Sequence, residues 1–320
     1  MTTRRTRRGL EYTVCGGVLL GTLGIPLEEA GQPPAGAVWF RCLFGAVALG
    51  LVLVVRGEVR ELALRGRALG FVVAASLLML LSWWLFFESI LRTSIALATL
   101  VFHLQPFVVM ALGAWWLGER VRPVQWIATG VALGGLALVS GVPSAMAGAD
   151  RLGPGEAVGL AMCVGGAVSY ALVVVLAKRV QAGVARGAGA KATGRAPGPL
   201  VIAWWQCAIG TLCLAWWPLR HGLPAEPVAW AWLAGLGALN TGLAYALVYA
   251  DVAQLPSGRV ALLQFVYPAT AVAVDASVYG RALDPVQTLG FGLMVGALVV
   301  AVRAGDAPVP ERASTGPDRP

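Results

Sequence analysis

Ten apolar runs alternate with short polar stretches along the chain, at about residues 12–28, 35–55, 68–90, 94–117, 122–142, 156–179, 200–219, 228–250, 257–279 and 284–304. Each is near the roughly 20 residues that an α-helix needs to cross the hydrocarbon of a bilayer. The pattern therefore predicts an all-α membrane protein of ten transmembrane helices. The first run carries Gly16, Gly17, Gly21 and Gly24, which let a neighbouring backbone come close, and Glu28 to Pro34 form the turn that ends it. Residues 1–11 are read as a polar tail, 143–155 as a Gly/Pro/Ser-rich loop, 181–199 as an Ala/Gly/Lys/Arg-rich linker, and 305–320 as a Pro-rich, disordered tail.

Composition agrees. The chain is 58% hydrophobic and 12% charged, against about a quarter charged in soluble proteins. The net charge of +8 raises the question of nucleic acid, but its distribution answers it. Nineteen of the 24 Lys and Arg residues fall in alternate segments: the N-terminus, Arg56 to Arg67, Arg120 with Arg122, Lys178 to Arg195, Arg259 and the C-terminal tail. The intervening segments hold only Arg92, Arg151, Arg220 and Arg281, and Arg41 lies inside a run. Positive loops mark the cytoplasmic side, so both termini are expected there and the partner is lipid, not nucleic acid. The first run follows Arg4 to Arg8 without a small-x-small cleavage site, and is expected to be a retained helix. All five cysteines lie within apolar runs and there are two histidines, so neither a disulfide framework nor a metal site is expected, and no cofactor.

The stretch Phe86 to Gly141 has a weaker second copy. A shift of 162 residues takes Gly118 to Gly280, Pro106 to Pro268, Pro123 to Pro285 and Gln125 to Gln287. Trp39-Phe40-Arg41-Cys42 is echoed at Trp204-Trp205-Gln206-Cys207 with an offset of 165. Residues 12–142 and 156–304 thus read as two five-helix repeats. An odd number of crossings places the copies in opposite orientation, the architecture of secondary transporters.

The run Leu117 to Trp126 (LGERVRPVQW), after a Pro-containing span and before a Gly-rich one, resembles the EamA repeat of the drug/metabolite transporter superfamily. The second copy departs from it, with Arg281 where Glu119 stands in the first, and Leu20-Gly21 occupies the place of the tryptophan beside a glycine often found in the family's first helix. The resemblance covers nearly the whole chain. It implies two inverted EamA repeats, ten spans, cytoplasmic termini, and proton-linked or facilitated movement of small organic solutes, most often outward.

Polar groups at membrane depth are costly and by default face a cavity or a partner. Arg41 is expected to hold a substrate carboxylate or pair with an acid such as Glu88, the alternative being snorkelling to the headgroups. Glu88, Asp251, Asp275 and His103 are the candidates for proton coupling. Helix-end capping is the competing reading for Glu88 and Asp251, and a hydrogen-bonded packing role for His103. Asp275, Gln264 and Tyr267 fall on one helical stripe, as do Thr99, His103 and Met110. Trp83 and Phe87 map by the same shift onto Tyr245 and Tyr249, with Thr241 extending the second stripe, so these are expected to face each other across a central pocket and stack on a solute. The competing reading is an aromatic belt. Ser169, Tyr170 and Asn240 are polar groups in the middle of spans. Pro106 and Pro268 break the helix ladder at equivalent depth and are expected flexing points or static kinks. Glu119 is expected to cap a turn.

The expected function is a secondary transporter of the inner or plasma membrane, exporting a small metabolite such as an amino acid by alternating access, with a coupled proton and a homodimer left open. A multidrug or quaternary-cation efflux protein is the first alternative, and a non-transporting receptor or scaffold the second. The chain lacks His-Glu-x-x-His, a phosphate-cradling glycine loop and Gly-x-Ser-x-Gly, so an enzyme is not expected.

Overall fold

The structure is a computed structural model that describes residues 2–142, 154–185, 197–250, 252 and 255–303. Among these residues every regular element is helical. The first copy comprises α1 (Thr2–Gly21), α2 (Gly24–Glu29), α3 (Pro34–Val55), a 3₁₀ turn (Val59–Leu62), α4 (Gly66–Arg92), α5 (Ile95–Phe102), α6 (Gln105–Trp116) and α7 (Pro123–Val139). The second comprises α8 (Pro154–Ala185), α9 (Pro199–Cys213), α10 (Trp216–His221), α11 (Pro227–Gly237), a π-helical turn (Ala238–Leu243), α12 (Ala244–Tyr249), α13 (Ser257–Leu263), α14 (Val266–Val278) and α15 (Pro285–Arg303). Asp251, most of the inter-repeat loop and of the linker, and the C-terminal tail lie outside the described residues.

Among the described residues eight helices are long and apolar enough to cross a membrane, and no more than half of any of them is buried in the protein. Large apolar side chains such as Leu51, Leu91, Trp115 and Leu219 point outward at 60–84% exposure, as suits a surface in contact with lipid. The fifth and tenth apolar runs form shorter helices, Pro123–Val139 and Pro285–Val300. At 1.5 Å per residue these reach about 25 Å, less than the roughly 30 Å hydrocarbon layer. Helix α1 begins at Thr2 rather than after residue 11, and α8 runs on to Ala185 rather than ending at 179.

The packing repeats the symmetry of the sequence. Helix α4 lies against α8, and its counterpart α12 against α1; α6 lies against α8, and α14 against α1; α11 lies on α3, and α9 on α4. Two pairs join equivalent elements directly, α3 with α9 and α7 with α15, and α6 meets α13, the counterpart of α5. Glycine makes these approaches close. Cβ atoms added at Gly135 and Gly290 would each lie 2.5–2.6 Å from the other residue's carbonyl oxygen, so α7 and α15 touch backbone to backbone.

The fourth and ninth spans are interrupted. The first breaks between Phe102 and Gln105, the second between Leu263 and Val266, just before Pro106 and Pro268. Proline supplies no N–H to the preceding turn and its ring presses on that turn's carbonyl, and 3₁₀-type bonds such as Leu104 N–H to Val101 O (3.0 Å) take over. Each span ends in the same way too. Gly118 (φ 65°) and Gly280 (φ 64°) occupy the left-handed region. The next residue's N–H returns to the carbonyl six positions back, Glu119 to Gly113 (3.1 Å) and Arg281 to Asp275 (3.3 Å), as in a glycine-terminated helix.

Candidate functional site

Among the described residues a helix widens into a π turn only at Ala238–Leu243, midway along the eighth apolar run, a feature frequent at functional sites. Gly237 and Gly242 there lie against Gly45 of α3. The turn presents Thr241, whose hydroxyl donates to Leu236 O (3.0 Å) and accepts from Arg41 Nε (3.0 Å). Arg41 is 8% exposed. Its guanidinium sits over the Trp83 ring at 4.7 Å, and no carboxylate pairs with it among the described residues. Trp83 meets Tyr245 edge to face at 6.3 Å, and Tyr245 lies 5.9 Å from Tyr249. The Tyr249 hydroxyl donates to Gln206 Oε1 (3.0 Å), leaving Gln206 Nε2 buried and unpartnered. Arg41, Thr241, Tyr245, Tyr249 and Gln206, all buried, and the partly buried Trp83 thus form one chain of contacts drawn from α3, α4, α9 and the eighth apolar run.

A second group gathers at the helix breaks. His103 stacks on Tyr267 (6.1 Å, 11°) and lies 5.8 Å from Phe265, its equivalent in the repeat. His103 Nδ1 is 2.7 Å from Thr99 O; a carbonyl only accepts, so Nδ1 carries the proton and Nε2 is the lone-pair nitrogen. Among the described residues that nitrogen is buried without a partner, as are Gln105 Oε1 and both amide atoms of Gln264. Tyr170 joins through Phe102 (6.1 Å), which contacts Phe86 (4.8 Å).

The expected aromatic walls need correction. Trp83 and Tyr245 touch each other instead of facing across a gap, and Phe87 packs on Phe86 (5.8 Å), away from Tyr249. Glu88 does not reach Arg41: it pairs with Arg92 one turn on, both side chains about a third exposed. Such a surface pair contributes at most about 0.5 kcal/mol, so Glu88→Gln is expected to leave thermal stability and the pH profile of activity unchanged. Asp275 stands on α14 with Tyr267, and the break at Gln264 cuts both from the helical phase of that residue. The Asp275 side chain is half exposed and paired with Arg281 (3.3 Å). Asn240 is a fastener, donating to Leu19 O (2.6 Å) and Thr22 Oγ1 (2.8 Å) of the first span. Asn240→Ala should cost about 1 kcal/mol through the loss of these part-buried bonds, read as a lower unfolding temperature in detergent. Ser169 bonds its own helix at Gly165 O (2.8 Å).

Glu119 does more than cap its turn. It accepts from Lys178 Nζ (2.7 Å) and from Ser257 N–H (2.6 Å), and Lys178 also donates to Ser257 Oγ (2.9 Å). The sequence reading missed Lys178, Ser257 and Gln206. Only Gln206 carried a signal, its repeat equivalence to Arg41. A separate surface hollow of about 380 Å³ lies between the turn at Glu29–Gln32 and the segment Pro224–Ala229, away from the buried cluster.

Comparisons with known proteins agree with the fold. The model of the EamA-like transporter family matches residues 8–141 and 157–303. An uncharacterised transporter, YxxF of Bacillus subtilis (strain 168), is 25% identical over 91% of this chain and 89% of its own length. Protein RarD of Streptomyces exfoliatus is 25% identical over 86% of this chain and 82% of its own. One crystal structure superposes with a TM-score of 0.72 at 21% identity, covering 95% of this chain and 99% of that one.

Proposed function

The chain belongs to the EamA-like transporter family, and from that premise we propose that it is a secondary transporter that exports a small carboxylate-bearing metabolite, such as an amino acid, by alternating access. In this reading it crosses the inner or plasma membrane ten times as two inverted five-helix repeats, with both termini cytoplasmic. The two shorter helices complete the count by local thinning of the bilayer around them.

The observation that carries the substrate class is Arg41. A cation at membrane depth costs about 2.5–3.5 kcal/mol. The Trp83 stack and the bond to a neutral hydroxyl hold the guanidinium without neutralising it. The Tyr245 hydroxyl, Arg41's other polar neighbour, is also neutral, so the Nη groups keep the charged fork that binds a carboxylate bidentately. The solute's carboxylate takes this fork, and the rings of Trp83, Tyr245 and Tyr249 part to cover its apolar portion. A quaternary cation would meet like charge there, which disfavours the multidrug reading. His103 Nε2 is the acceptor we assign to proton coupling, since Glu88 and Asp275 are spent in partly exposed ion pairs.

The test is efflux of a labelled panel of amino acids, other carboxylates and quaternary ammonium compounds from cells with and without the protein, at two external pH values. Faster carboxylate efflux that depends on pH supports the reading. Faster efflux of the cations alone replaces it, and a carboxylate efflux indifferent to pH removes His103 from it.

A further inference from the structure

The repeat relates two ion pairs at opposite ends of the bundle. Each interrupted span ends in a glycine turn that delivers one charged residue, Glu119 or, 162 positions later, Arg281. Each of these reaches the end of the other copy's first span: Glu119 to Lys178 of α8 (2.7 Å), Arg281 to Glu28 of α2 (3.4 Å). The chain reverses direction from span to span, so Lys178, at the far end of the sixth, and Glu28, at the far end of the first, lie at opposite ends. Acid and base have exchanged places between the copies.

The two pairs are in different states. Lys178 is 2% exposed and bonded to both Glu119 and Ser257, so that the α6–α7 turn, α8 and the start of α13 are sealed together. Arg281 and Glu28 are 58% and 51% exposed and longer, and Arg281 shares itself with Asp275. An exposed pair contributes little, whereas breaking a buried one leaves a charge without solvent or partner. Bistable packing of this kind is what alternating access needs.

We propose that these are alternating latches. Glu119–Lys178 holds its end shut in the conformation described here, and Arg281–Glu28, here long, exposed and shared with Asp275, is the pair that tightens into the equivalent closure of the opposite conformation. Opening the first end hydrates Lys178 as the turn at Gly280 closes on α2 and buries the second pair. This inference rests on the transport reading above.

Hydrogen–deuterium exchange of the full chain in lipid nanodiscs, without solute, tests it. Glu119→Gln keeps an acceptor for Ser257 N–H and Lys178 and deletes only the charge; Glu28→Gln does the same at the other end. Glu119→Gln is expected to raise exchange several-fold at residues 117–122 and 255–260 while lowering it at 279–284, and Glu28→Gln to do the reverse. Ser257→Ala, which removes one bond to Lys178, should act as a weaker Glu119→Gln and serves if that variant misfolds. Changes confined to the altered end, or none at either, make the pairs static ties and overturn the proposal. Carboxylate transport without reciprocal exchange would sink the latches and spare the transport reading; reciprocal exchange without carboxylate transport would do the opposite to the substrate assignment.

Discussion

Gly135→Leu will cost the protein most of its folded yield, whereas Gly134→Leu, one residue earlier, will be tolerated. A side chain at Gly135 meets the carbonyl of Gly290 at 2.5 Å and the amide nitrogen of Met294 at 2.9 Å, while one at Gly134 meets nothing within 4 Å. Neither obstacle is the flexible end of a side chain, so α7 and α15 must separate along their whole contact. Overpacking of a tight interface costs about 1–3 kcal/mol, and a backbone-to-backbone crossing belongs at or above the upper end. The check is monodisperse yield and unfolding temperature of the two variants prepared side by side. Equal losses would mean that the α7–α15 contact is not glycine-dependent.

The second large effect falls on Arg41. Arg41→Gln is expected to fold as well as the parent chain, because it removes a buried cation that no carboxylate balances. It should nevertheless lose carboxylate transport by about 30-fold or more, since deleting one partner of a buried charged pair costs roughly 2–5 kcal/mol. Arg41→Lys keeps the charge but not the planar fork or the stack on Trp83, and should fall between the two. The contrast separates a binding role from a structural one. A marked drop in unfolding temperature for Arg41→Gln, with transport rate per folded molecule preserved, would make Arg41 a tie between α3 and the π turn.

The residues explain why some of this was legible in the sequence. Apolar runs report spans because lipid demands them, and the repeat at one fixed shift carried the pairing of the halves. Pro106 and Pro268 announced the two breaks because a missing N–H acts locally. Arg41, Trp83, Thr241 and Tyr245 were singled out as polar or aromatic groups at depth, and they do meet. What failed was phase and distance. Asp275 was placed by a helical wheel drawn through Gln264, where the helix is interrupted. Lys178 read as one more basic residue beside a positive loop. Its partners lie 59 and 79 residues away in sequence, and no local pattern shows that its ammonium is folded inward onto Glu119 and Ser257. The trio of Trp83, Tyr245 and Tyr249 could be assigned to one region but not to mutual contact, because a stripe fixes the face of a helix and not its separation from the next.

Counterflow in liposomes reads carboxylate exchange through the protein alone. Purified protein is reconstituted, the vesicles are loaded with unlabelled amino acids and other carboxylates, and labelled members of the panel are offered outside without any ion gradient. The account predicts transient accumulation of at least one labelled carboxylate by the parent protein and its collapse in Arg41→Gln. Equal accumulation by both, or accumulation only of a quaternary cation, would contradict it.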